Sequence, residues 1–118
     1  MVGKRKEVKR MKVLWLSRHS AEAAQITELE RIFNESVEII EVSQTVKSGQ
    51  EVIDLMQSND CTEAVVVLPP NFLMEVLRGG YEPLRAVMDR NVHEDGSATF
   101  TFSYFERVKK VEIITERL

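Results

Sequence analysis

The sequence contains only one cysteine, two histidines and five glycines among its 118 residues, and each scarcity excludes a class of site. A lone Cys61 cannot form an internal disulfide or a cysteine-based zinc site, and this usage is typical of a reducing compartment. Two histidines and one cysteine without ligand spacing also argue against a structural metal. We therefore expect no metal, no cofactor and a cytoplasmic location.

The few glycines form none of the phosphate-binding or nucleophile motifs that depend on them. No G-x-G-x-x-G follows the first apolar run, and no G-x-x-x-x-G-K-[ST] occurs anywhere in the chain. A G-x-S-x-G nucleophile elbow is absent as well. Dinucleotide sites, nucleoside-triphosphate sites and serine-hydrolase chemistry are thereby disfavoured.

Long hydrophobic runs are missing too. No apolar stretch approaches the roughly 20 residues that a membrane span needs. The basic start is not followed by an apolar region of the kind that makes a secretory signal. We expect no membrane partner.

Charge is distributed unevenly along the chain. The formal net charge is −3, yet residues 1–10 sum to +4, which leaves −7 for residues 11–118. An acidic body is a poor general binder of DNA or RNA, because phosphate neutralisation supplies most non-specific affinity. The basic decapeptide is either a disordered tail or an arm that contacts nucleic acid, and its unpatterned charge favours the tail.

Short apolar runs alternate with helical patterns between Lys12 and Arg90, which predicts βαβ units in one domain spanning residues 11–118. The predicted strands are Lys12–Ser17, Val37–Val42, Ala64–Leu68 and Leu84–Asp89. A first helix is predicted at Ala21–Phe33, a second after Ser48, and a third from Asn71 to the Gly79-Gly80 stop. Right-handed crossovers then give a small Rossmann-like α/β domain of three layers, with a parallel sheet whose order begins 2-1-3-4.

The period changes after Arg90, where the chain predicts an antiparallel, β-rich extension. Thr99–Phe105 alternates strictly, which predicts a strand with one apolar face, and Asp95-Gly96 is a strong hairpin signal. Val108–Thr115 predicts a last strand.

Chemistry-bearing residues follow three of the predicted parallel strands. Ligands of open parallel sheets bind outside the carboxyl ends of the strands, so the three loops should converge on one site. Arg18 and Lys47 would supply local positive charge to an acidic body, and His19 would add an imidazole. The candidate site residues are Ser17, Arg18, His19, Ser20, Thr45, Lys47, Ser48, Pro69 and Asn71.

Several of these residues also have structural interpretations. Ser20 and Ser48 suit the N-caps of the first and second helices, and Ser48 forms a capping box with Glu51. Asn71 suits the cap of the third helix, and Lys47 suits a solvated surface. His93, beside the hairpin turn, is expected to be inert.

The tripeptide Ser17-Arg18-His19 and the segment from Leu68-Pro69 to Arg78-Gly79 resemble motifs of the small CRISPR-associated, Csx-type ring nucleases, which are similar to ligand-sensing CARF domains. The resemblance covers about residues 12–89. It implies a homodimer that binds cyclic oligoadenylate, typically the four-membered ring, and cleaves it without a metal.

The resemblance also implies roles for individual residues. Arg18 and Lys47 would contact non-bridging phosphate oxygens, and His19 would transfer a proton. Ser17, Thr45 and Asn71 would orient phosphate or base edges. Two alternatives stay open: a nucleotide-sensing module that does not cleave, and an interaction protein that uses its C-terminal strands to dimerise.

Overall fold

A computed structural model describes residues 10–118, which form five strands and three helices. The predicted basic tail, residues 1–10, lies outside the described residues except for Arg10. The strands are β1 Met11–Leu16, β2 Val37–Val42, β3 Glu63–Val66, β4 Leu84–Val92 and β5 Ala98–Arg107, and the helices are α1 Ala23–Phe33, α2 Gly49–Ser58 and α3 Pro70–Arg78. None of these helices is long and apolar enough to cross a bilayer.

The strands form one sheet in the order β2-β1-β3-β4-β5. The first four run parallel, and β5 pairs antiparallel with β4. This is the predicted small Rossmann-like α/β fold with the order 2-1-3-4. The switch point lies at β1, because the chain crosses from one side of that strand to the other between β2 and β3.

Helices cover both faces of the sheet, so successive residues of β1 are buried in different clusters. Val13 and Trp15 pack with Leu29 of α1 on one face. Leu14 and Leu16 pack on the other, against α2 and α3. A strand buried on both faces must be apolar throughout, which explains the unbroken run of residues 13–16.

The helix starts confirm one predicted cap and correct two others. Ser48 is the N-cap of α2, and its Oγ accepts a hydrogen bond from the Glu51 amide at 3.1 Å. The predicted capping box is only half formed, because the Glu51 carboxylate accepts from the Lys47 amide instead of the Ser48 amide. Ser20 does not cap α1, which follows Glu22. Asn71 does not cap α3, because Pro69 precedes the helix and Pro70, with its preset φ and no N–H, occupies its first turn.

The predicted last strand, Val108–Thr115, is wrong: this segment pairs with no strand among residues 10–118. β5 is an edge strand, but the segment after it does not return along that edge, because Val108 and Val111 pack against the core cluster of Leu14 and Leu16. The chain instead turns, and the Val108 amide donates to the Pro83 carbonyl at 2.8 Å.

The strict alternation predicted for β5 is interrupted by a bulge. Val87 pairs with Tyr104 and Met88 with Phe102, so Ser103 is left without a partner in the register. The bulge returns Phe105 to the face of Phe102, and the two ring centroids lie 4.8 Å apart.

Candidate functional site

A cleft of about 580 Å³ opens at the carboxyl edge of the sheet, where the loops after β1, β2 and β3 meet. Its volume lies within the range typical of small-molecule sites. The polar part of its wall consists of Ser17, Arg18, His19, Ser43, Gln44 and Thr45. The apolar part consists of Leu16, Val46, Val67, Leu68, Pro69 and Phe72.

The loop after β1 is held by hydrogen bonds from both sides. The Trp15 indole Nε1 donates to the His19 carbonyl at 2.7 Å, and the His19 amide donates to Ser17 Oγ at 3.2 Å. On the far side, the Glu41 carboxylate accepts from Ser20 Oγ and from the Ala21 amide. The backbone of the loop is thereby fixed, while the Arg18 and His19 side chains remain exposed.

Arg18 brings the positive charge of the cleft. Among residues 10–118 it makes no ion pair, whereas Arg85 and Arg107 are each bound to a glutamate. A guanidinium without a carboxylate partner can bind a phosphate through two parallel hydrogen bonds. Arg18 therefore suits an anionic ligand.

The loop after β2 contributes hydroxyl and amide groups. Ser43, Gln44 and Thr45 line the cleft, and Gln44 Nε2 donates to Glu51 at 3.3 Å. Sequence reasoning identified Thr45 but missed Ser43 and Gln44. Their position directly after Val42, the last residue of a parallel strand, was the available signal.

The loop after β3 forms the apolar wall. Val67 is 78% exposed and lines the cleft together with Leu68, Pro69 and Phe72. An apolar side chain exposed to this extent at the mouth of a cleft offers a surface for a planar, weakly polar group such as a nucleobase. The sequence predicted Pro69 as a site residue but not Val67 or Phe72. Val67 is typical of the end of a strand, and Phe72 is typical of the start of a helix.

The structure brings five of the nine predicted site residues into the cleft: Ser17, Arg18, His19, Thr45 and Pro69. The other four lie outside its lining. Ser20 is bonded to Glu41, and Ser48 caps α2. Lys47 and Asn71 are exposed beside the cleft, and the Lys47 amide donates to the Glu51 carboxylate at 2.7 Å.

The amino end of α2 is occupied by a protein carboxylate. Glu75 of α3 accepts from the Gly49 amide at 2.8 Å and from the Gln50 amide at 3.3 Å. Because this carboxylate already binds two of the free amides, the amino end of α2 is not open to an anion. The positive charge that lines the cleft comes from Arg18.

Comparison of the chain with family models, with curated proteins and with solved structures found no significant match. Its class is therefore defined by fold and site: a small Rossmann-like protein with a cationic cleft at the carboxyl edge of the sheet. A guanidinium, an imidazole, hydroxyls and an apolar wall together fit a phosphate ester that carries a flat, apolar part.

Proposed function

We propose that this protein is a ring nuclease, a phosphodiesterase that binds cyclic oligoadenylate in the cleft and cleaves it. The observation that carries the proposal is the placement of Arg18 and His19, both exposed, on one hydrogen-bonded loop of the cleft. The motifs at residues 17–19 and 68–79, which resemble those of ring nucleases, agree with this placement.

The reaction uses the RNA substrate as its own nucleophile. The ribose 2′-oxygen attacks the adjacent phosphorus, and the bond from phosphorus to the 5′-oxygen breaks. The products are a 2′,3′-cyclic phosphate and a 5′-hydroxyl, so the proton lost by one oxygen is balanced by the proton gained by the other. The protein has to hold the attacking and leaving oxygens in line and stabilise charge on the phosphate.

Each role falls to a residue of the cleft. Arg18 binds the non-bridging oxygens and stabilises the charge that develops on them. His19, whose imidazole makes no hydrogen bond among residues 10–118, takes the proton from the 2′-hydroxyl or gives one to the 5′-oxygen. Ser17 and Thr45, from the loops after β1 and β2, orient the phosphate.

The remaining cleft residues suit adenine. Val67 and Phe72 offer apolar surface to the base, and the Gln44 amide has both a donor and an acceptor for its edge. A cyclic ligand with repeated nucleotides fits two symmetry-related clefts, so the proposed functional unit is a homodimer.

The second candidate is a sensing module that binds the same ligand without cleaving it. Arg18 serves both functions, whereas the exposed imidazole of His19 has a purpose mainly in proton transfer. The position of His19 at the cleft therefore favours the enzyme.

The test is incubation of the purified protein with cyclic tetra-adenylate in the presence of EDTA, followed by chromatography of the products. Linear product is expected from the wild-type chain and should be lost in Arg18→Ala and His19→Ala. His93→Ala and Arg31→Ala are matched controls, because both side chains are exposed and neither lines the cleft. Binding without turnover would support the sensing module, and absence of binding would refute both.

A further inference from the structure

The distal part of the β4–β5 hairpin, here called the ribbon, comprises residues 86–92 of β4 and 98–105 of β5. β4 pairs with β3 only at Val65 and Leu84, and it continues long after β3 ends at Val66. At roughly 3.3 Å per residue, the ribbon projects about 20 Å beyond that point. Because β4 is parallel to β3, the ribbon extends from the carboxyl edge, the same edge that holds the cleft.

One face of the ribbon is apolar except at Arg90. The register places Met88 opposite Phe102, Arg90 opposite Phe100 and Val92 opposite Ala98 on that face. The other face pairs Val87 with Tyr104 near its base and is polar farther out, where Asp89 pairs with Thr101 and Asn91 with Thr99. The bulge at Ser103 produces this separation, because it carries the apolar face over to Phe105, whose ring packs edge-on against Trp15.

The apolar face is buried at its base and uncovered farther out. Phe100 is 62% exposed and Val92 is 66% exposed, whereas Phe105 packs with the cluster beneath α1. A two-stranded ribbon alone is marginally stable in water and needs a further packed surface. The distal ribbon therefore lacks a covering layer in the single chain.

Charge indicates which surface covers it. Arg90 stands in the middle of the apolar face, and Glu94 follows at the turn. Neither makes an ion pair among residues 10–118. In a two-fold arrangement with the ribbons antiparallel, the tip of one lies beside the middle of the other, so Arg90 of each copy can reach Glu94 of the second copy. The same patch then supplies both members of the pair, as an isologous contact requires.

The uncovered apolar side chains cluster toward the far end of this face. Val92 is 66% exposed, Phe100 62% and Met88 38%, whereas Phe102 already packs against Phe105. These side chains would form the apolar centre of a contact, with the Arg90–Glu94 pairs beside it.

We propose that the apolar face of the ribbon is the interface with a second copy of this chain, packed face to face about a two-fold axis. The contact would bring the second copy to the carboxyl edge of the sheet, on the side that α1 covers. This inference rests on the proposed function only in that both require a homodimer, because the ligand takes no part in the contact.

The test is sedimentation velocity of the full chain over a concentration series, without ligand. The wild-type chain should be a dimer. Phe100→Glu should be a monomer. Its circular dichroism spectrum should match that of the wild type, because the new carboxylate lies opposite Arg90 and leaves the pairing of β4 with β5 intact. Thr101→Lys, one residue away on the polar face and opposite Asp89, is the matched control and should remain a dimer.

A second variant guards against a folding defect at position 100. Val92→Glu, near the far end of the ribbon, should also give a folded monomer. A monomeric wild-type chain, or dimers of both Phe100→Glu and Val92→Glu, would overturn the proposed interface. Cleavage, and its loss in Arg18→Ala, is measured separately. A wild-type chain that forms the dimer but does not cleave would refute the proposed function and not the interface.

Discussion

The Trp15 indole donates a hydrogen bond to the carbonyl of His19 at 2.7 Å and thereby joins the core of the sheet to the loop that carries the candidate site. The Trp15 ring is only 4% exposed and packs edge-on against Phe105, with 6.2 Å between the ring centroids. A rigid core residue therefore fixes the backbone beside the Arg18 and His19 side chains. Such support from a packed neighbour is what keeps a functional loop in one geometry.

Trp15→Phe should keep an aromatic ring in the core but remove the donor to His19. We expect a loss of about 1–3 kcal/mol in the free energy of unfolding, from the lost hydrogen bond and the smaller ring. The amides of the Ser17–Ala21 loop should also exchange faster in hydrogen–deuterium exchange.

The matched control is Phe105→Leu, which disturbs the same ring contact and leaves the hydrogen bond in place. It should lower stability without a selective effect on the loop. Equal exchange of the loop amides in the two variants would contradict the supporting role of Trp15.

Gly49 begins α2 where that helix crosses α3. A Cβ at this position would lie 2.4 Å from the Phe72 carbonyl oxygen and 2.5 Å from Glu75 Cβ. Helix propensity alone favours alanine over glycine by about 1 kcal/mol, but close contact with backbone cannot be relieved by a rotamer change.

Gly49→Ala should therefore destabilise the protein, by about 1–3 kcal/mol in urea unfolding. Gln50→Ala, at the next and exposed position, should change stability by less than about 0.5 kcal/mol. A Gly49→Ala chain as stable as the wild type would show that the two helices are not packed this closely.

The parallel part of the sheet was predictable because its strands are specified locally. Val37–Val42 was predicted to the residue, and Ser48 was predicted as a cap from its spacing to Glu51. Buried strands need continuous apolar runs, and helix starts need particular side chains, so both leave signals within a few residues.

The errors arose where the outcome depends on distant residues. Val108–Thr115 has the composition of a strand, but Val108 and Val111 pack against the core cluster of Leu14 and Leu16 instead of pairing along the edge of β5. Likewise, no local pattern marks the bulge at Ser103. The bulge is needed because Phe105 packs against Trp15 while the distal parts of β4 and β5 stay paired. The polar residues of the loop after β1 were identifiable, whereas Gln44 and Val67 join the cleft only through the meeting of three loops.

Cys61 should be unreactive in the folded protein. Its thiol is buried, 6% exposed, and burial raises the pKa of the group because it disfavours the thiolate. We expect slow reaction with Ellman's reagent in the native state and fast reaction in urea. Rapid labelling of the native protein would contradict the burial.

The same shift in pKa sets the sign of a pH effect. A thiol whose pKa is higher in the folded state contributes its full stabilisation at neutral pH, where both states are protonated. That contribution decreases as the pH rises above the pKa of the unfolded chain. Urea unfolding of Cys61→Ala should therefore show a weaker alkaline decline in stability than the wild type, and an identical decline would refute the assignment.

Arg107 should be the most important ion-pairing side chain for stability. Its guanidinium donates to both oxygens of Glu63, at 2.9 and 3.3 Å, and to the Glu82 carbonyl at 2.7 Å. These bonds connect the end of β5 to the start of β3 and to the segment before β4. The pair is mostly shielded from solvent, since the side chains of Arg107 and Glu63 are 28% and 19% exposed.

Arg107→Met leaves the Glu63 carboxylate shielded without its partner, and we expect a loss of about 1–3 kcal/mol in the free energy of unfolding. Arg85→Met is the matched control, because Arg85 also binds a glutamate, Glu106, but the Arg85 side chain is 58% exposed. Exposed pairs contribute about 0–1 kcal/mol, so its effect should be small. Adding Glu63→Gln to Arg107→Met should restore part of the loss, because it removes the unpaired charge. Equal effects of the two arginine variants would show that Arg107 acts as an ordinary surface residue.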